Sequence, residues 1–272
     1  HNYWGYDEYL GDWGYFWTST VLESNEGRVY LFAVDKNAGV HENWDAHKRS
    51  GNSLRCLADS GCLDPLAFNY DSSVLVDDGS CEYAPNHLGP DWYVSPDGNN
   101  NSGSGGEEYP YATIQRAVDQ AETLGNENVL QTIYISPGTY VENISVAINL
   151  SYDERDISFI GLGEGPESTI IDGNASGPVF YIIAYNYGYD SYYSFSNLTI
   201  TNGLSARGGG IYLEKGDLYL DGVHILDNHL IDQNGSGYEK GGGIYFYTGS
   251  ILSEVSITNC VISGNGGGGT YN

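Results

Sequence analysis

Along the second half of the chain, apolar residues recur two apart in short runs. In Leu198-Thr199-Ile200-Thr201-Asn202, Val223-His224-Ile225-Leu226 before Asn228, and Cys260-Val261-Ile262-Ser263 before Asn265, the first and third positions are apolar. That period places Leu198, Ile200, Val223 and Ile225 on one face of an extended chain and sends Thr199 and His224 to the other. The stretches Gly208-Gly209-Gly210-Ile211-Tyr212 and Gly241-Gly242-Gly243-Ile244-Tyr245 repeat between these runs. A unit so short cannot bury its apolar side alone, so it must stack on copies of itself. The pattern predicts a solenoid of strands. Asn202, Asn228 and Asn265 should form one corner, where asparagine accepts left-handed angles and bonds to neighbouring coils. The glycine triplets should form another, where backbones pass closely. Cys260 takes the place of Leu198 and Val223 and reads as a small buried hydrophobe.

Upstream the period changes. Ile114, Ala117, Val118, Ala121 and Leu124 fall at helical spacing behind Thr113, a suitable N-cap, which predicts one amphipathic helix of about three turns ended by Gly125. Strand-like runs follow at Thr132-Ile133-Tyr134-Ile135, Ile157-Ser158-Phe159-Ile160-Gly161 and Ser168-Thr169-Ile170-Ile171-Asp172. Segment 84–91, with Pro85, Gly89 and Pro90 and no apolar period, reads as a linker. Before it, Trp4, Trp13, Trp17 and Trp44 crowd a unit that includes the strand-like Val29-Tyr30-Leu31-Phe32-Ala33-Val34.

Three resemblances organise these segments. The order Trp92-Tyr93-Val94-Ser95-Pro96-Asp97-Gly98, helix, Pro137-Gly138-Thr139-Tyr140-Val141-Glu142 and Gly-Gly-Gly-Ile-Tyr repeats resembles right-handed parallel β-helix proteins of the pectin lyase-like superfamily over residues 92–272. The resemblance implies a mainly β fold whose one N-terminal helix plugs the first coil and hides a strand edge. Gly14-Tyr15-Phe16-Trp17-Thr18-Ser19-Thr20 and Ser53-Leu54-Arg55-Cys56-Leu57-Ala58-Asp59 resemble the closing half of the Fibrobacter succinogenes major paralogous domain, a C-type lectin-like α+β unit, over residues 1–59. That likeness implies that the partner of Cys56 lies in the missing half. Gly61-Cys62-Leu63-Asp64-Pro65-Leu66-Ala67-Phe68-Asn69-Tyr70 and Asp77-Asp78-Gly79-Ser80-Cys81 resemble a short module of secreted bacterial proteins, spanning 60–83. A unit so small needs a staple, for which Cys62 and Cys81 are the pair, and such a bond implies an oxidising compartment. The oxygens of Asp64, Asn69, Asp71, Asp77 and Asp78 suggest a calcium site, although their spacing is not that of an EF-hand. No organic cofactor is implied.

The β-helix superfamily includes lyases, hydrolases, esterases, adhesins and passive stalks, so fold alone gives no chemistry. The Gln-Asp-Thr-Leu run of pectin methylesterases is missing, and no esterase residue carries over. A lyase of this fold needs acidic calcium ligands and a basic residue on one outer face. The outward column Thr199, His224 and Val261, beside Thr201, Leu226 and Ser263, cannot supply them. Asp217, Asp221, Asp227 and Asp232 sit beside glycines and asparagines and read as corner residues. No catalytic residue is assigned.

Charge narrows the partners. With 36 acidic against 10 basic residues the net charge is −26, a field that repels nucleic acid and anionic membrane. No apolar run is long enough to span a bilayer. The chain has no methionine and begins with histidine, so a piece of a longer product is expected, cut inside the β-helix. The interrupted glycine corner at 266–272 predicts open strand edges and self-association. Tyr212 and Tyr245 should point outward at equivalent positions, with Tyr219, Tyr247, Tyr181 and Tyr185 adding further rings. Such a column could stack on sugars or on another surface protein, or its rings could simply stack on one another to stiffen the sheet. The resulting expectation is a secreted or cell-surface bacterial protein that binds carbohydrate or mediates adhesion without catalysis. The alternative is a polysaccharide lyase or hydrolase whose catalytic coils lie beyond Asn272.

Overall fold

The computed structural model describes residues 13–21, 28–35, 40–47, 59–124, 129–148, 156–184, 191–231, 240–247, 253–266 and 270–271. The chain divides into two compact units, 1–61 with 72–78 and 62–71 with 79–272. In the first, Trp13–Val21, Arg28–Asp35 and Val40–His47 form an antiparallel sheet. It includes the strand expected at Val29 to Val34. Three antiparallel strands occur in many folds and assign none of them. Trp4 and Cys56 lie outside the described residues.

The second unit is a parallel β-helix. Among the described residues, five turns of the chain each contribute one strand to each of three sheets, Asp91–Val94 adds a sixth to the first, and every strand pair in those sheets is parallel. The first sheet comprises Asp91–Val94, Gln131–Ile135, Ile157–Gly161, Tyr192–Ser196, Asp217–Asp221 and Val255–Thr258. The second comprises Gly138–Val141, Thr169–Asp172, Thr199–Thr201, His224–Leu226 and Val261–Ser263. The third comprises Ile144–Ile148, Phe180–Ala184, Ile211–Glu214, Ile244–Tyr247 and Thr270–Tyr271.

Exact stacking puts like residues over like, and this builds the core. Ile171, Ile200, Ile225 and Ile262 form one inward column. Ile133, Phe159, Phe195 and Leu220 form a second, with Ile257 in register above them but 41% exposed. Phe159 and Phe195 stack with centroids 4.9 Å apart, and Phe180 meets both edge-on from the third sheet. Each such side chain withdrawn from water contributes about 1.5–3 kcal/mol. The alternation in Leu198-Thr199-Ile200 holds, since Leu198 and Ile200 are fully buried. Thr199 is nevertheless covered too, because its hydroxyl donates to Pro166 O at 2.8 Å under the Pro166–Ser168 turn. Cys260 packs against the core and is half-buried; its Sγ accepts from Val223 N–H.

Two columns meet at the corner after the second sheet. Asn202, Asp227 and Gly264 stand one above another, all at positive φ (56°, 50° and 69°). One residue on, Gly203, Asn228 and Asn265 form the second column. The expected asparagine column is thus offset by one: Asn202 takes the left-handed bend, and only Asn228 and Asn265 form the amide ladder. Asn228 is fully buried and accepts from Gly203 N–H at 2.8 Å while its amide reaches Ile200 O at 3.1 Å and Asn265 Oδ1 at 3.0 Å. Asn265 repeats the pattern with Ile225 O at 2.8 Å. The carbonyls and N–H groups freed by the bend are satisfied from the next rung, as burial demands. Gly203 cannot be asparagine, since a Cβ there would collide with the Gly209 carbonyl. The glycine corner behaves as expected, with a Cβ at Gly242 running into Gly266 O.

The first turn would leave strand edges open, and those of the first and third sheets are covered in different ways. Helix α1 (Ile114–Leu124) buries Ile114, Ala117, Val118 and Ala121 over the tube mouth, whereas Leu124 stays largely exposed. Gly125 lies outside the described residues. Thr113 is the N-cap, accepting from Arg116 N–H at 3.3 Å. The Glu142 carboxylate adds a cap from 28 residues away, accepting from Ile114 N–H at 2.9 Å and Gln115 N–H at 3.0 Å. In turn the helix covers the edge of Ile144–Ile148. Gln115 accepts from Ser145 N–H and donates to Ser145 O, as a neighbouring strand would, and Glu122 accepts from Ala147 N–H. At the first sheet, the loop from Gly103 to Tyr111 pairs along Asp91–Val94 through Tyr93 N–H to Gly105 O and Tyr111 N–H to Tyr93 O.

Segment 84–91, read as a linker, packs against the solenoid. His87 meets the buried Trp92 ring edge-on at 5.0 Å, and Trp92 Nε1–H donates to Gln131 Oε1 at 3.0 Å. Cys62 and Cys81 form a disulfide.

Two predictions follow from the corner and the cap. Asn228→Ala strands the Gly203 N–H and the Ile200 carbonyl in a dry corner, so urea unfolding should show a loss of about 2–4 kcal/mol; a loss under 1 kcal/mol would count against the ladder. Burial pushes the Glu142 carboxyl above its usual value of 4.5, against the opposing backbone donors Gln115 and Ile114. A carboxyl raised in the folded state favours folding when protonated, so its contribution is greatest below 4.5 and falls as pH climbs through the raised value. Relative to the parent, Glu142→Gln should therefore gain stability as pH rises across that window. A pH-independent difference between the two unfolding curves would contradict the assignment.

Candidate ligand-binding face

On the third sheet, Phe180, Ile182, Ile211, Leu213, Ile244 and Phe246 point into the tube. Alternation therefore turns Tyr181, Tyr212 and Tyr245 outward on successive rungs, in register with Ser145 below and Tyr271 above. Tyr181 and Tyr212 stack with centroids 4.9 Å apart at 25°, and Tyr212 and Tyr245 at 5.2 Å and 23°. The spacing is that of the backbone ladder itself.

Both faces of Tyr212 are consequently occupied by neighbouring rings. Its hydroxyl donates to Glu214 Oε2 at 3.0 Å, and burial, then that bond, push the phenol pKa well up. Tyr245 is only 7% exposed, and the Arg207 guanidinium lies 5.4 Å from its ring centroid, a cation–π contact. Among the described residues of this sheet two rings are exposed: Tyr181 at 39%, beside small Ser145, and Tyr247 at 49%, in register with Glu214. The structure thus gathers Tyr212, Tyr245 and Tyr247 on one sheet with Tyr181. Tyr219 is elsewhere. It lies on the outer face of the first sheet, stacked on Tyr192 at 4.7 Å, and its hydroxyl donates to Glu254 Oε2 at 3.0 Å. Desolvation, then that hydrogen bond, push its phenol up to about 12. Tyr185 lies outside the described residues.

Arg207 was not foreseen, yet a signal existed. Each glycine triplet is preceded by a basic residue, Arg207 and Lys240, and the two pair in a parallel bridge on adjacent rungs.

Two of the expected calcium ligands, Asp64 and Asn69, make hydrogen bonds within their own module. Asp64 accepts from Leu66 N–H at 2.9 Å and from the Tyr83 hydroxyl at 2.7 Å, and these bonds hold its carboxyl below the usual range. Asn69 donates to Ser80 O and accepts from Glu82 N–H, tying the module's two ends together. Asp64, Asn69 and Asp71 belong to the second unit, and Asp77 and Asp78 to the first. Among the described residues no group of three or more His, Cys, Asp or Glu is placed to hold a metal ion. Of the aspartates read as corner residues, Asp217 accepts from Glu254 N–H, Asp221 from Thr258 and Asn259, and Asp227 takes the left-handed bend. Asp232 lies outside the described residues. No described helix is long and apolar enough to cross a membrane.

No family model matches the chain, and no curated protein matches it. Among solved structures it is similar to Escherichia coli YbhC, with 20% identity and a TM-score of 0.38 over 66% of this chain and 54% of that one. The chain thus spans about half the length of that protein. A likeness so loose carries no functional argument, and the β-helix stands on its own ladders.

If the column mainly stiffens the sheet, Tyr212→Ala should cost about 1–2 kcal/mol in urea unfolding, from two lost ring contacts and the lost burial. Tyr212→Phe, which keeps the stack and loses only the bond to Glu214, should cost about 0.5 kcal/mol. Equal costs would show that the ring contacts contribute little.

Proposed function

We propose that the protein is a non-catalytic extracellular binding protein whose third sheet holds an extended neutral glycan along the solenoid axis. The observation that carries this reading is the pair of exposed rings on one sheet: Tyr181, which ends the stacked column, and Tyr247, two residues along the strand from Tyr245. Rings held rigidly lose little entropy on binding, and their faces suit the apolar face of a pyranose. The interior of the column, Tyr212 and Tyr245, serves as the rigid base and offers ring edges and hydroxyls. The net charge of −26 disfavours polyanionic ligands. The Cys62–Cys81 disulfide supports an oxidising location.

A panel of immobilised neutral polysaccharides tests the reading. At least one should retain the parent chain, and Tyr181→Ala with Tyr247→Ala should weaken retention about tenfold or more, as expected for losing two aromatic contacts. No retention on any member, or retention that the double substitution leaves unchanged, would remove the proposal.

A further inference from the structure

We infer that the outward tyrosine pairs are a site of covalent modification: under oxidation, Tyr181 couples to Tyr212, and Tyr192 to Tyr219, joining adjacent rungs through dityrosine. Three observations on separate parts of the molecule converge on this. First, the partners are already stacked, at 4.9 Å and 25° for Tyr181 with Tyr212 and at 4.7 Å and 29° for Tyr192 with Tyr219. Strand register sets Tyr181 over Tyr212, whereas Tyr219 lies opposite Ser194 and Tyr192 opposite Asp217, so those two rings meet diagonally. In both pairs coupling is intramolecular and needs the rings to swing from face-to-face to edge-to-edge. Second, one phenol in each pair already donates to a carboxylate: Tyr212 to Glu214 and Tyr219 to Glu254, both at 3.0 Å. A phenol that loses an electron must also lose its proton, and an acceptor on the hydroxyl takes it in the same event. Third, sulfur sinks are scarce. The chain has 25 tyrosines and no methionine, and among the described residues the free thiol is Cys260, half-buried with its pKa raised by desolvation.

The reaction balances with hydrogen peroxide as the two-electron oxidant and a haem peroxidase as carrier. Each phenol gives up one electron and one proton, and the Tyr212 proton passes to Glu214. The two phenoxyl radicals join through ring carbons ortho to the oxygens. The hydrogens on those carbons then leave as protons and the phenol oxygens are reprotonated. In sum one carbon–carbon bond forms, two carbon–hydrogen bonds break, and the two electrons and two protons released turn one peroxide into two waters. Tyr245 should be the lesser partner of Tyr212, because it is nearly buried and the Arg207 cation lies over its ring.

Peroxidase and peroxide applied to the full chain, followed by digestion before aspartate and mass spectrometry, test the assignment. The expected result is loss of two hydrogen masses per link, dityrosine fluorescence, and a linked pair of fragments joining Tyr181 to Tyr212. A second link should join Tyr192 to Tyr219. Tyr181→Phe and Tyr212→Phe should each abolish the first link and leave the second. Glu214→Gln should slow the first link without moving it, and Tyr247→Phe should change neither. Links confined to the most exposed tyrosines, such as Tyr70, Tyr83 and Tyr247, or formed only between molecules, would overturn the inference. So would a rate for the first link that Glu214→Gln leaves untouched.

Discussion

The molecule depends on one constraint: every rung of the β-helix must lie residue for residue over the next, with no slip at the corners. A strand can slide by two residues and still bury its apolar face, so the core columns alone do not set the register. The corners do. Asn228, fully buried, takes up backbone groups from the rung below and an amide oxygen from the rung above. A slip would leave those groups unpaired away from water, at about 1–3 kcal/mol for each. The column Asn202, Asp227 and Gly264 sets the bend, and the column Gly203, Asn228 and Asn265 locks it.

The outer surface inherits that register. Because Tyr181, Tyr212 and Tyr245 sit on successive rungs, their rings are spaced by the backbone ladder and must stack. Stacking uses up the faces of the middle ring, so a regular tyrosine column is a poorer binding surface than its sequence suggests. Rings at the margin, Tyr181 and Tyr247, keep the open area. The same closeness gives the stacked pairs chemistry of their own. The ends of the structure obey the rule as well: where no rung lies below, the Gln115 and Glu122 side chains imitate one against Ile144–Ile148.

Local signals were legible in the chain and distant ones were not. The period of two at Leu198 and Ile200, the helical stripe from Ile114 to Ala121, the Thr113 cap and the glycine corner all depend on neighbours in sequence, and each has its counterpart in the fold. The asparagine corner was read one residue out of register at Asn202, because residue identity was matched where backbone angle decides: glycine, aspartate and asparagine all accept positive φ. Glu142 was recognised only as part of a turn, since its partner N–H groups lie 28 and 27 residues away. Tyr219 alternates just as Tyr212 does, and period alone cannot say which of three sheets a strand joins. The oxygens of Asp64 and Asn69 were legible as a cluster, but their bonds to Leu66, Tyr83, Ser80 and Glu82 were not, because composition carries no geometry.

Interstrand nuclear Overhauser contacts measure the central claim most directly. The account predicts a parallel pattern in which amide to α-proton contacts link Phe159 to Phe195 and Phe195 to Leu220, and Ile200 to Ile225, in the same direction along every strand. Close α to α contacts between any of these strands, or the same amide pattern displaced by two residues, would contradict it.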